Sequence, residues 1–273
     1  MASGIREELV HVHTEDGYLL EGAVIRPDRP PEHGRPIVWV HGLTGRFYGP
    51  STVGIGRHLA ERGHMFVTGN NRGHDFGAVL RNPEGERMVA GGGWELFDES
   101  PFDVAAWVDF ASDLGNGEVI LLGHSLGSLK VPYYLAQRRD ARVRALIAAS
   151  PPLRAGRWSP ETVQQAERMA AEGRGRDLLP WDLMQAGGGT LSAQTVLSWI
   201  RANIDVYGEQ TADPAIAGID LPILAFYGTE EEWVGSAADL ETIRRNARSA
   251  PRVETAMIEG ADHNYNGRER EAA

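Results

Sequence analysis

Val119-Ile120-Leu121-Leu122-Gly123-His124-Ser125-Leu126-Gly127 is the stretch whose reading decides the fold. Four apolar residues predict a buried strand, and the spacing over 126–139 predicts a helix. Between them stands G-x-S-x-G, a pattern whose chemistry requires a strand, a sharp turn and a helix in that order. So tight a turn leaves no room for side chains next to the serine, which accounts for the flanking glycines. Ser125 then sits at a helix N-terminus, where free N–H groups and the helix dipole favour developing negative charge. A glycine-rich turn with a capping serine would look similar in isolation. The apolar run before it and the helical run after it favour the nucleophile.

Working outward, the same alternation recurs. The segment 8–13 alternates, Glu15-Asp16-Gly17 makes a turn, and 18–25 alternates back, as a hairpin does. Short apolar runs at 37–40, 65–67, 119–122, 143–149 and 221–227 predict core strands, with a last strand at 253–258. Helical spacing falls at 52–62, 100–114, 126–139 and 236–246. Buried strands alternating with helices give an α/β fold, a mostly parallel, doubly wound sheet with an N-terminal antiparallel hairpin. The rhythm breaks over 153–218, where two helical patterns (160–172 and 193–206) appear without a strong strand. This stretch is expected to be a helical cap inserted in a core made of residues 1–152 and 219–273.

A serine hydroxyl is a weak nucleophile and needs a base. His263, in a polar loop just after the last strand, is the candidate, since His124 is too close in sequence to turn onto Ser125. The base in turn needs a carboxylate to orient it. In a doubly wound sheet that acid comes from a loop at the carboxyl ends of the strands. Ser150-Pro151-Pro152 has none, whereas Gly228-Thr229-Glu230-Glu231-Glu232-Trp233-Val234 has three. Glu231 is the choice, with Glu230 and Glu232 as alternatives.

The order Ser125, Glu231, His263 resembles that of the α/β-hydrolase superfamily, whose triads run nucleophile, acid, histidine. The resemblance covers essentially the whole chain and implies its fold and activity. His41-Gly42-Leu43-Thr44-Gly45 stands where that family has its oxyanion loop. The implied donors are the backbone N–H groups of Leu43 and Leu126, with His41 bracing the loop. Loss of one such donor typically costs about 3–4 kcal/mol of transition-state stabilisation. Asn71-Arg72-Gly73-His74-Asp75 is similar to the family's R-G-H turn and implies scaffold. Two departures are visible: glutamate where aspartate is usual, and a C-terminus ten residues after His263, which shortens the usual last helix. An exposed edge there is open to a second subunit, so a homodimer is one expectation.

Composition sets outer bounds. The chain has 273 residues, 27 basic and 38 acidic side chains, a formal charge of −11 and no cysteine. Disulfides, thiol nucleophiles and thiolate metal sites are therefore excluded. So acidic a surface disfavours nucleic acid and anionic membranes. No secretory leader or apolar span is readable, and a cytoplasmic enzyme without metal or cofactor is expected.

The parts imply acyl transfer from an ester or thioester. Water as acceptor gives an esterase or thioesterase; an amine, alcohol or thiol gives an acyltransferase of the natural-product kind. Trp158, Trp181 and Trp199 fall in the cap and Trp233 beside the acid. As substrate-binding residues they suit an apolar or aromatic acyl group, although rings in a cap also serve as its core. Arg154, Arg157, Arg174 and Arg176 form a local basic patch, suited to a carboxylate or an acyl carrier protein unless it is only a solvated face.

Overall fold

A computed structural model describes residues 4–82, 84–183, 189–231 and 233–273. The N-terminal hairpin pairs β1 (Ile5–His13) with β2 (Leu19–Pro27), Ile5 opposite Pro27 and His13 opposite Leu19. β1 is a sheet edge and carries Arg6, Glu7 and Glu8, charges that discourage pairing with another chain. Next come β3 (Ile37–Val40), α1 (Pro50–Glu61) and β4 (Phe66–Gly69). A small separate hairpin follows, β5 (Ala78–Arg81) with β6 (Arg87–Ala90). Then come α2 (Ser100–Leu114), β7 (Val119–His124), α3 (Leu126–Arg138) and β8 (Val143–Ala149). After β8 lie α4 (Pro160–Ala171) and α5 (Ala193–Ala202). The chain ends with β9 (Ile223–Gly228), α6 (Ala237–Asn246), β10 (Val253–Ile258) and α7 (Glu269–Ala272).

Eight strands form one sheet in the order β1-β2-β4-β3-β7-β8-β9-β10. β2 runs antiparallel to both its neighbours, and every pair from β4 to β10 is parallel. The sequence reading of a mostly parallel sheet with an antiparallel hairpin is met. Side chains alternate between two cores, as pleating requires. Ile37 and Trp39 of β3 join Ile55 and Leu59 of α1 on one face. Val38 and Val40 join Val104 of α2 and Leu129 of α3 on the other.

Chain order reverses at β3, whose neighbours are β4 on one side and β7 on the other. Loops leaving the carboxyl ends of β3 and β7 therefore diverge and leave a crevice, the usual place for a ligand in such sheets.

Several element bounds differ from those read in the sequence: β4 is Phe66–Gly69 rather than 65–67, and β9 is Ile223–Gly228 rather than 221–227. α5 stops at Ala202, short of the spacing that runs to 206, because Asn203 takes a left-handed conformation (φ 48°) and caps it. The β5–β6 hairpin escapes the pattern reading because each strand is only four residues long and half-exposed. α7 is the short C-terminal helix, lying on α1.

Candidate active site

The turn after β7 holds Ser125 at φ 53° and ψ −126°, a conformation that side chains other than glycine rarely adopt. Its neighbours show why. A Cβ on Gly123 would lie 2.6 Å from the Ser128 Cα, and one on Gly127 would lie 2.7 Å from the His41 carbonyl oxygen. Both positions are closed to any side chain, so β3 and α3 are pressed together across the turn and Ser125 is thrust up between them.

His263 leaves the loop after β10 and meets Ser125 in space across 138 positions of sequence, with Nε2 3.0 Å from Ser125 Oγ. Its Nδ1 lies 2.8 Å from Glu231 Oε2. A carboxylate only accepts, so Nδ1 carries the hydrogen and Nε2 is left to accept from the serine hydroxyl. Glu231 is fully buried, and its other oxygen accepts from Ser150 Oγ at 2.6 Å and from the Gly228 N–H. Glu230 is exposed to solvent, and Glu232 lies outside the described residues. Asp262 is occupied with the N–H groups of Asn264 and Asn266, each at 3.0 Å.

Three features of this cluster had no sequence signal. Ser150 and Tyr265 hydrogen-bond to each other behind Glu231. Both hold positive φ, 51° and 59°. His124 donates from Nε2 to the His263 carbonyl oxygen at 2.7 Å and stacks on Trp39 with ring centres 5.3 Å apart. Burial, reinforced by the neighbouring His263, pushes the His124 pKa down to about 3, so it stays neutral.

The loop after β3 closes the site from the other side. A Cβ on Gly42 would lie 2.6 Å from the Ser125 Cβ, so this backbone passes directly against the serine. His41 is buried, with Nδ1 2.8 Å from the Gly42 carbonyl and Nε2 accepting from the Asn71 N–H at 2.8 Å. Burial first, and the Lys130 cation second, lower its pKa to about 3. It is a neutral brace between two loops. Among the described residues the Leu43 and Leu126 amides have no hydrogen-bond partner. Arg72, in the next loop, is buried and bonds Asp103 at 2.9 Å and Asp16 at 2.9 Å, as scaffold.

A cavity of about 1000 Å³ opens above Ser125 and His263. Trp158, Trp199 and Trp233 line it, together with Leu43 and Leu126. Trp158 packs on Trp199 (ring centres 5.4 Å), and Trp233 lies 5.2 Å from the His263 ring. Trp181 does not join them. It is 72% exposed and outside the lining, although its neighbours Asp182 and Leu183 face in. Of the four tryptophans expected around the serine, three line the cavity; Trp233 is as exposed as Trp181, and what sets Trp181 apart is that it is outside the lining. Nor do the four arginines form a free patch. Arg154 pairs with Asp239 (2.8 Å), Arg157 with Glu209, and Arg174 with Glu172 (2.6 Å). Arg176 donates to the Val89 carbonyl at 2.5 Å. Among the described residues no group of three or more metal-ligating side chains comes together, and no helix is long and apolar enough to cross a membrane.

Residues 35–180 match the model of the alpha/beta hydrolase fold family, more than half of the chain. The chain belongs to that family, and with it to the hydrolase class of enzymes. Among curated proteins it is similar to the non-heme chloroperoxidase CPO-A1 of Kitasatospora aureofaciens, 23% identical over 84% of this chain and 85% of the other. Among solved structures, Est1E from Butyrivibrio proteoclasticus with ferulic acid bound superposes with a TM-score of 0.68. It is 20% identical, over 96% of this chain and 94% of that one. The Pyrococcus furiosus esterase Pf2001 gives a TM-score of 0.59 at 18% identity, over 95% of this chain and 85% of that one. These likenesses concern the fold.

Proposed function

We propose that the protein is a serine esterase acting through an acyl-enzyme on small esters with an apolar or aromatic acyl group. The observation that carries this reading is the line Ser125 Oγ, His263, Glu231, with links of 3.0 Å and 2.8 Å, at the floor of a tryptophan-lined cavity. In the first step Ser125 Oγ attacks the ester carbonyl carbon while its proton passes to His263 Nε2. The carbonyl electron pair moves onto oxygen, next to the Leu43 and Leu126 N–H groups, which stabilise it. Collapse of the tetrahedral intermediate breaks the bond to the alkoxide, and the alkoxide takes the proton from Nε2. Water then repeats the sequence on the acyl-enzyme and frees the acid and Ser125. Glu231 stays ionised throughout, fixing the His263 tautomer and stabilising the imidazolium.

A thioester enters the same cycle with a thiol as leaving group. The cap role of residues 153–218 rests on Trp158 and Trp199, which reach the cavity from that segment. Est1E, whose structure holds ferulic acid, an aromatic acid, lends support to an aromatic acyl group here. The paired arginines lend none to docking of a carrier protein.

The test is a panel of p-nitrophenyl esters and acyl-thioesters, each with and without amine and thiol acceptors. Faster hydrolysis of aromatic-acyl esters than of the acetyl ester is expected, with product partitioning to water. Partition to the acceptor would make the protein an acyltransferase. Failure to turn over any ester or thioester would overturn the reading.

A further inference from the structure

The acid of the triad has more neighbours than orientation of one imidazole requires. Glu231 Oε2 is committed to His263. Oε1 accepts from Ser150 Oγ and from the Gly228 N–H. The single hydrogen of Ser150 is therefore spent on the carboxylate, because an ionised carboxylate cannot donate. Ser150 Oγ also bonds the Tyr265 hydroxyl, so in that bond the tyrosine must be the donor. The result is a buried chain of hydrogens pointing one way, from Tyr265 to Ser150 to Glu231, with the negative charge at its end. Each bond in such a chain polarises the next.

Two further observations single out this pair. Ser150 and Tyr265 are both held at positive φ, in the region that costs energy for residues other than glycine. Neither hydroxyl faces solvent: Ser150 is fully buried and Tyr265 is 1% exposed. Backbone strain at two buried positions that converge on one carboxylate points to a role for their side chains.

We propose that Ser150 and Tyr265 are positioning residues, a two-hydroxyl chain that keeps Glu231 ionised and aimed at His263. The proposal rests on the serine-hydrolase reading and deepens it. The other ionisable groups packed around the pair are limited. His124 is held neutral by burial. Asp262 is tied to its own loop. Tyr227, buried and held protonated, donates instead to the Pro151 carbonyl at 2.6 Å. Tyr265 is likewise kept protonated, first by burial and then by the Glu231 charge.

The consequence concerns pH. Glu231 is a carboxylate whether His263 is neutral or protonated, and with one donor fewer its charge gains more from an imidazolium beside it than from a neutral ring. The Glu231–His263 pair then takes up its proton at higher pH, and the acid limb of the rate profile moves upward. A hydrogen bond to a charged group corresponds to a shift of about one pH unit. Ser150→Ala removes the direct donor and is expected to move the limb by that amount. Tyr265→Phe keeps the ring packing against Phe226 and His124, removes only the outer hydroxyl, and is expected to move it about half as far.

The experiment measures the rate of fluorophosphonate labelling against pH for the wild type, Ser150→Ala and Tyr265→Phe, with folding checked by circular dichroism. Wild-type labelling that vanishes in Ser125→Ala establishes the underlying reading independently of either variant. Upward shifts in both variants, larger for Ser150→Ala, support the proposal. Slower labelling with an unmoved limb in Tyr265→Phe would overturn it, because loss of packing alone lowers a rate without moving its pH dependence. If Ser150→Ala does not fold, Tyr265→Phe decides.

Discussion

The turn at Ser125 and the helical segment over 153–218 face each other across one cavity, and they are fixed by different means. Around Ser125 the backbone has no freedom. Gly123, Gly127 and Gly42 are each closed to a Cβ, and Ser125 is held at φ 53°. His41 and His124 are neutral braces buried on either side. Across the cavity, side-chain contacts hold the wall, Trp158 on Trp199 and Arg154 on Asp239, and the Ser192 N–H ties the segment to the Gly93 carbonyl at 2.7 Å. The contrast separates two tasks. On the proposed reading, the bond-making atoms sit where backbone contacts bar a side chain at Gly42, Gly123 and Gly127, and the substrate meets a wall of tryptophan rings.

The sharpest way to break that contrast is at the acid. Glu231→Gln should lower kcat on the order of 10⁴-fold, as loss of an orienting carboxylate does in other triads. Glu230→Gln, at an exposed position, should change kcat less than about twofold, since surface substitutions rarely act on distant chemistry. If the two results are exchanged, the loop register is wrong.

Next in size is the buried ion pair near His41, in the loop after β3. Lys130, the one lysine of the chain, forms an ion pair with Glu95, both of them buried. Lys130→Met leaves a buried carboxylate without its partner and should cost about 3–5 kcal/mol in urea unfolding. A cost near zero would mean that the core under the site is wetter than the packing indicates.

The smallest effects belong to the helical segment. Trp158→Ala should lower kcat/KM for an aromatic-acyl ester about tenfold relative to the acetyl ester, the scale of a lost apolar pocket contact. Trp181→Ala, outside the cavity, should leave both within about twofold, again as a surface change. Equal effects at the two positions would contradict the placement of Trp181.

The same contrast explains what the sequence made legible. The convergence of Ser125, His263 and Glu231 is legible because backbone geometry restricts which residues can occupy the turn and the strand-end loops. β8 and β10 keep the bounds read for them, at Val143–Ala149 and Val253–Ile258. The place of Trp181 outside the cavity lining is not legible in the sequence, because nothing in local sequence tells which rings of such a segment reach a shared cavity. Ser150 and Tyr265 were missed for a related reason. Serine and tyrosine are common surface residues, and only the approach of two loops, 115 positions apart in sequence, gives them a shared partner.

The central claim is that Ser125 becomes a nucleophile because His263 receives its proton. Acid-quenched mass spectrometry after brief exposure to an activated aromatic ester tests it most directly. The account predicts one acyl group on the peptide bearing Ser125, absent in Ser125→Ala and strongly slowed in His263→Ala. An acyl group on another residue, or undiminished acylation in Ser125→Ala, would contradict it.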